Sequence, residues 1–184
     1  MATLTELQID RWMPEPSHLA DDIRMLGRVL HDCVHAGASV SFVQPFSYDD
    51  AGAFWNRKVL PAIQSGLCRV LLARTAGQIA GTVQLDLATP PNQPHRAEVR
   101  KLLVHPDARR RGIARALMLA IEDQAREAGR NLLTLDTVTG GYAESLYLSL
   151  GYVKVGIIPR YAVRPDSPEL DATTIMYKEL RPLR

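Results

Sequence analysis

Residues 96–137 hold the pattern that most restricts what this chain can fold into. RAEVRKLLV (96–104) reads as a strand and HPDARRRG (105–112) as a turn. Residues 113–128 follow as an amphipathic helix with Ile113, Leu117, Ile121, Ala125 and Ala128 on one face. Gly129 stands where a helix stop belongs. NLLTLDT (131–137) is then a short, almost wholly apolar strand, the pattern of a strand covered on both faces. A strand, a crossover helix and a second strand in one sheet join as parallel neighbours. The strands ending at Val104 and Thr137 are therefore expected side by side in an α/β fold.

The rest of the chain extends that unit. With 184 residues there is material for one domain with a real core and too little for two of usual size, so residues 1–184 are read as one unit. Leu19, Ile23, Leu26, Leu30, Cys33 and Val34 recur at helical spacing between Ser17 and Ala36. A second helix is expected from Ser47, where SYDD places a carboxylate three residues after a capping hydroxyl, until Pro61 and Gly66 disturb it. From Arg69 the pattern turns β-rich: RVLLART and QIAGTVQLDLA flank Ala76 and Gly77 as a hairpin. TPPNQPH is a loop, Tyr142–Leu150 a short helix closed by Gly151, and YVKVGII and TTIMYKEL are two late strands.

Charge and cysteine usage exclude several classes of function. The formal charge is only +2, which does not indicate a strongly cationic surface for sequence-independent nucleic-acid binding. Cys33 and Cys68 have no CxxC spacing and form no disulfide framework, which suits a reducing compartment. No window approaches the roughly 20 apolar residues of a membrane span, and residues 1–11 lack a signal pattern, so a cytoplasmic location is expected. Monomer and homodimer are both left open.

The turn in the crossover unit carries the chemistry. VHPDARRRGIARAL (104–117) places Arg109, Arg110, Arg111 and Arg115 around Gly112 at a strand-to-helix junction. The first turn of a helix leaves amides unpaired and positively polarised, so such a junction can hold a phosphate. Gly112 lets the backbone approach a ligand. The competing reading is a solvated basic turn. A P-loop and a dinucleotide fingerprint are excluded by the absence of GxxxxGK[ST] and GxGxxG. Without interleaved aromatics, nucleic-acid binding is the weaker alternative.

These residues resemble the acetyl-CoA signature of the Gcn5-related N-acetyltransferases (GNAT), (Arg or Gln)-x-x-Gly-x-(Gly or Ala), at Arg109, Gly112 and Ala114. AESLYLSLGYVKVG is similar to the family's later motif, at Ala143, Tyr147, Gly151 and Tyr152. The resemblance covers roughly residues 69–160. It implies a mixed, mostly antiparallel sheet flanked by helices, whose two central parallel strands splay around acetyl-CoA. HAGASVSF, AEVRKLLV, LLTLDT and PRYA most resemble the tabtoxin-resistance acetyltransferases, which acetylate a β-lactam antimetabolite.

The same resemblance implies roles for individual residues. Pantetheine would lie along Leu102, Leu103 and Val104, and the pyrophosphate on the amides of Arg110, Arg111, Gly112, Ile113, Ala114 and Arg115, with Arg109 and its neighbours assisting. Ala143 belongs to the cofactor-binding set. Transfer needs a neutral amine, yet a lysine-like amine lies roughly 3 pH units above neutrality, a deficit of about 4 kcal/mol. Glu98 or Asp136 would take that proton, a main-chain N–H near Leu103 would stabilise the developing oxyanion, and Tyr147 would protonate the departing thiolate. Residue by residue, Glu98 has the competing role of an ion pair with Arg96 or Arg100, Asp136 that of capping the next turn, and Tyr147 that of packing on the sheet.

Other constellations carry less. His31, Cys33 and His35 lack the HExxH spacing and a third ligand, so no metal is expected. Trp12, Phe42, Trp55 and Tyr161 are candidates either for an acceptor pocket or for the core. Ser39 and Ser41 have no recognisable base partner. The expected activity is direct transfer of acetyl from acetyl-CoA to an amine or hydroxyl of a small amino-acid-like or antibiotic-like acceptor. Acetylation of protein N-termini or lysines is the alternative within enzymes, and a non-catalytic acyl-CoA sensor the alternative outside them.

Overall fold

The computed structural model describes residues 6–180. Seven strands form one sheet in the order β1-β2-β3-β4-β5-β7-β6: β1 Gln8–Arg11, β2 Cys68–Thr75, β3 Gln78–Asp86, β4 Arg96–Val104, β5 Leu132–Val138, β6 Val153–Val163 and β7 Leu170–Glu179. Only β4 and β5 run parallel, joined by helix α4 (Ile113–Glu127) as the crossover pattern requires. The remaining pairs are antiparallel. The mixed, mostly antiparallel sheet flanked by helices is the one expected. Strand β1 was not foreseen; it pairs with β2 at the sheet's edge.

Local chemistry sets each element. Ala76 and Gly77, both at positive φ, make the tight β2–β3 turn. Helix α1 (Leu19–His35) buries Leu26, Val29, Leu30, Cys33 and Val34 against the sheet. Helix α2 (Tyr48–Phe54) starts with the expected capping box, in which Ser47 and Asp50 satisfy each other's backbone amides. Pro61 does not end this helical run. A π-helical turn, Trp55–Val59, leads directly into α3 (Leu60–Gln64), with Pro61 in its first turn. Helix α5 (Tyr142–Ser149) follows β5.

Two cores lie on opposite faces of the sheet. One joins Ile113, Leu117, Met118 and Ile121 of α4 to Val83, Leu85, Ala97, Val99, Leu133 and Leu135. The other joins α1, Trp12 and Trp55 to Val70, Leu72, Ile79 and Leu103. Glu98 pairs with Thr134 on β5 and Asp86 on β3. In-register partners share a face, and alternation puts Glu98, Thr134 and Asp136 opposite the α4 core, on the α1 and α2 side.

A bulge shapes the middle of the sheet. Thr82 pairs with Leu103 and Gln84 with Arg100, so Val83 faces both Lys101 and Leu102. Lys101 takes φ 51°, the left-handed conformation common at such bulges. At Gly81 a Cβ would stand 2.8 Å from the Leu103 carbonyl oxygen and 3.2 Å from Ile113 Cγ2, so the strands meet too closely for any side chain. Gly81→Ala is expected to lower the unfolding free energy by about 1–3 kcal/mol in urea titration. Gly156→Ala, with no heavy atom within 4 Å of the new Cβ, should change it by less than about 0.5 kcal/mol.

Candidate active site

The parallel ladder between β4 and β5 is short. It runs from Arg96↔Leu132 to Glu98↔Thr134 and then stops. Strand β5 continues beside β7 to Val138, while β4 continues beside β3 through the bulge to Val104. The two central strands therefore part, and among the described residues no strand pairs with β4 beyond Glu98 on the β5 side. Leu103 is buried in the core, with Leu102 and Val104 half-buried on either side.

At the end of β4 the chain enters the arginine turn. Pro106–Ala108 forms one 3-10 turn, Arg110 takes φ 64°, and Gly112 caps α4 at φ 79°. No side chain caps this helix and its first turn holds no acid. Among the described residues the amides of Arg110 to Arg115 find no intramolecular acceptor; the first ladder bond is Ala116 N–H to the Gly112 carbonyl. Six successive amides thus border one turn. Of the side chains, Arg110 and Arg111 are exposed, Arg109 Nε donates to the Val104 carbonyl at 3.3 Å, and Arg115 donates to Ser149 Oγ on α5 at 2.6 Å. Ile113 faces the core, so it offers the cradle only its backbone, and Ala114 is half-buried.

A network not foreseen from the sequence holds this turn against α1. His105 Nε2 lies 2.9 Å from Asp32 Oδ2, and Asp32 Oδ1 also meets His31 at 2.7 Å and the Tyr48 hydroxyl at 3.0 Å. Burial pushes the Asp32 carboxyl up, but hydrogen bonds from His31, His105 and Tyr48 outweigh it and hold it below its ordinary value. The Cys33 thiol donates to the same Val104 carbonyl, at 3.3 Å. His31 and His35 are thus spent on stacking and on Asp32. Among the described residues no group of three His, Cys, Asp or Glu side chains could hold a metal.

The carboxylates sit where the strands part. Glu98 accepts from Arg100 Nε at 2.8 Å, and Arg100 also pairs with Asp86 at 2.8 Å. Arg96 turns instead to Gln93 and Thr134. Asp136 is exposed and accepts from the Thr173 hydroxyl at 2.9 Å rather than capping the next turn. Tyr147 is buried on α5 beside Tyr152, and Ala143 lies half-buried one turn earlier. Burial first, and the Asp136 charge second, push the Tyr147 hydroxyl well above its ordinary value, so it stays protonated at neutral pH. Lys101 lies on the same face, within electrostatic reach of Glu98 and Asp136. Trp12 and Trp55 are core residues, Tyr161 is exposed on β6, and only Phe42 lies near this cleft, under the Lys101 ammonium.

The parted parallel pair thus ends in an amide-lined helix start, with Glu98 and Asp136 on the sheet face opposite the α4 core. Residues 34–152 match the model of the acetyltransferase (GNAT) family, well over half of the chain, and the chain belongs to that family. It is 34% identical over 119 residues to the N-acetyltransferase of the hisH-hisA intergenic region of Azospirillum brasilense, across 62% of this chain and 67% of that protein. An IAA acetyltransferase of the same organism is 34% identical over 101 residues, across 55% of this chain and 61% of its own.

Solved structures share the fold. An N-acetyltransferase from Staphylococcus aureus Mu50 superposes with a TM-score of 0.78 at 16% identity, over 96% of this chain and 100% of its own. The yncA protein of Salmonella typhimurium, solved with its cofactor acetyl-CoA, does so at 0.74 and 18%, over 95% and 94%. Acetyl-CoA is the cosubstrate of GNAT enzymes. The turn fits that ligand: a Cβ at Gly112 would meet no protein atom within 4 Å, so the space over the amides is open. Gly112→Ala keeps that space nearly clear but strains φ 79°. It is expected to destabilise the fold by about 1–2 kcal/mol, read as a lower denaturation midpoint.

Proposed function

We propose that this protein transfers the acetyl group of acetyl-CoA directly to the amine of a small, amino-acid-like acceptor. The observation that carries the reading is the run of six unpaired amides, Arg110 to Arg115, at the mouth of the gap between β4 and β5, with Glu98 and Asp136 beside it. In this reading pantetheine lies along Leu102–Val104 and the diphosphate rests on those amides. Arg109, Arg110, Arg111 and Arg115 supply countercharge, and Ala143 lines the α5 side. The likeness of four segments to the tabtoxin-resistance acetyltransferases supports an amino-acid-like acceptor. The free, buried thiols of Cys33 and Cys68 suit a cytoplasmic setting.

The chain's own groups supply the proton transfers. The acceptor nitrogen must lose a proton to attack, and Asp136 is the better-placed base. No cation lies in ion-pair contact with it among the described residues, whereas Glu98 shares Arg100 with Asp86. As nitrogen bonds to the acetyl carbon, a β4 amide near Leu103 stabilises the carbonyl oxygen. The carbon–sulfur bond breaks, and Tyr147, kept protonated by its burial, gives its proton to the thiolate.

Calorimetry with acetyl-CoA and thiol release across an amine panel test the reading. Binding without turnover of any amine would replace it with an acyl-CoA sensor, and modification confined to peptide substrates with a protein acetyltransferase. Asp136→Asn is expected to lower kcat about 10²- to 10⁴-fold and remove the acidic limb of the pH profile. An intact limb would transfer the role to Glu98. Tyr147→Phe should lower kcat on the order of 10²-fold with little change in acetyl-CoA affinity; an unchanged rate would remove Tyr147 from the mechanism.

A further inference from the structure

Lys101 differs from Arg100, its neighbour on β4. Arg100 is neutralised by Asp86 and Glu98. The Lys101 ammonium is half-buried and has no carboxylate in ion-pair contact among the described residues. Among the described residues it donates one hydrogen bond, to Ser41 Oγ at 3.1 Å. The rings of Phe42 and Phe54 lie beneath it, with centroids 5.6 and 5.9 Å away. An ammonium has three donors, so two stay without an acceptor among the described residues. Aromatic faces stabilise the charge without neutralising it.

The placement is built rather than incidental. Lys101 is the left-handed residue of the β4 bulge, and Ser41 also has positive φ, 74°. Two side chains carried on left-handed backbone thus meet across 60 residues of sequence. The face consequently has two poles: a desolvated cation at Lys101, and the acids Glu98 and Asp136 within electrostatic but not contact range. A ligand carrying both an amine and an anion matches both poles at once.

We infer that Lys101, steadied by Ser41, Phe42 and Phe54, anchors the carboxylate of the acceptor while the acceptor's amine lies toward Asp136 and Glu98. This deepens the proposed function and rests on it for the identity of the bound molecule, but the anion site can be measured without turnover. Burial, and next the charge of Arg100, pull the ammonium down to about 8 against the opposing pull of Asp136 and Glu98. A bound anion relieves that burden by supplying the missing countercharge.

The test is calorimetric binding of N-acetyl amino acids, each compared with its primary amide. The wild-type protein is expected to bind the carboxylate forms about tenfold or more tighter. Lys101→Met should bring each pair within about twofold, and Lys101→Arg should retain part of the preference. Both replacements are unbranched, so the bulge keeps the same backbone demand.

A second readout does not need a variant. Lys58, Arg100, Glu98 and Asp136 are the charged groups acting on Lys101, and none has an ordinary pKa between 7 and 9. The wild-type preference should therefore fade as pH rises above about 8 and the ammonium loses its proton. Equal affinity within pairs, no binding of any carboxylate form, or preference persisting in Lys101→Met would each overturn the inference. So would acetylation of Lys101 itself by acetyl-CoA, seen by mass spectrometry. Failure of thiol release with every amine would remove the acetyltransferase reading while leaving the anion site to stand or fall on binding.

Discussion

Between Arg100 and Leu103, strand β4 carries one residue more than β3 opposite it, and much of the molecule follows from that surplus. A bulge bends a strand and increases its local twist. Here the bend separates β4 from β5 directly after Glu98↔Thr134, because β5 remains held by β7 along its full length. Gly81 permits the close approach of β3 and β4 beside the bulge, since a Cβ there would stand only 2.8 Å from the Leu103 carbonyl oxygen. The same irregularity turns Lys101 to the α1 and α2 side, against Ser41, Phe42 and Phe54. One backbone feature thus opens the gap and equips its wall.

Two electrostatic environments meet at that gap. At its mouth, unpaired amides and exposed arginines create positive potential that the protein does not neutralise, since the first turn of α4 holds no acid. Deeper in, the carboxylates Asp86, Glu98 and Asp136 and the cations Arg96, Arg100 and Lys101 share the face opposite the α4 core. Arg100 is neutralised by Asp86 and Glu98, and Arg96 is hydrogen-bonded to Gln93 and Thr134. Asp136 and Lys101 are left on this face without an ion pair among the described residues, while Tyr147, its hydroxyl kept protonated, packs with the α4 core. The Asp32–His105 contact ties the cationic turn to α1 and so holds the cradle against the helix beside the cleft.

Much of this was legible in the sequence because it follows from local periodicity. The 96–137 pattern specified a crossover, and the parallel pair follows from it; Gly112 and the arginines marked the helix start that now shows six unpaired amides. What stayed hidden depends on contacts between distant segments. Strand β1 is four residues of mixed polarity that are strand only because β2 is beside them. Strand β6 passes Pro159 to reach Val163, which an edge position tolerates. The helical run survives Pro61 through a π turn. No pattern in AEVRKLLV places a bulge at Lys101, so neither its left-handed backbone nor its meeting with Ser41 could be anticipated. His105 and Asp32 lie 73 residues apart, and nothing in either neighbourhood signals the other.

If the parted strand and the amide turn together hold acetyl-CoA, as proposed, both must lose exposure when it binds. Amide hydrogen exchange followed with and without acetyl-CoA measures both segments at once. The prediction is slowed exchange at residues 110–115 and along 99–104, with β6 and β7 unchanged. Saturating acetyl-CoA that leaves residues 110–115 exchanging at their free rate, or protects a different part of the chain, would contradict it.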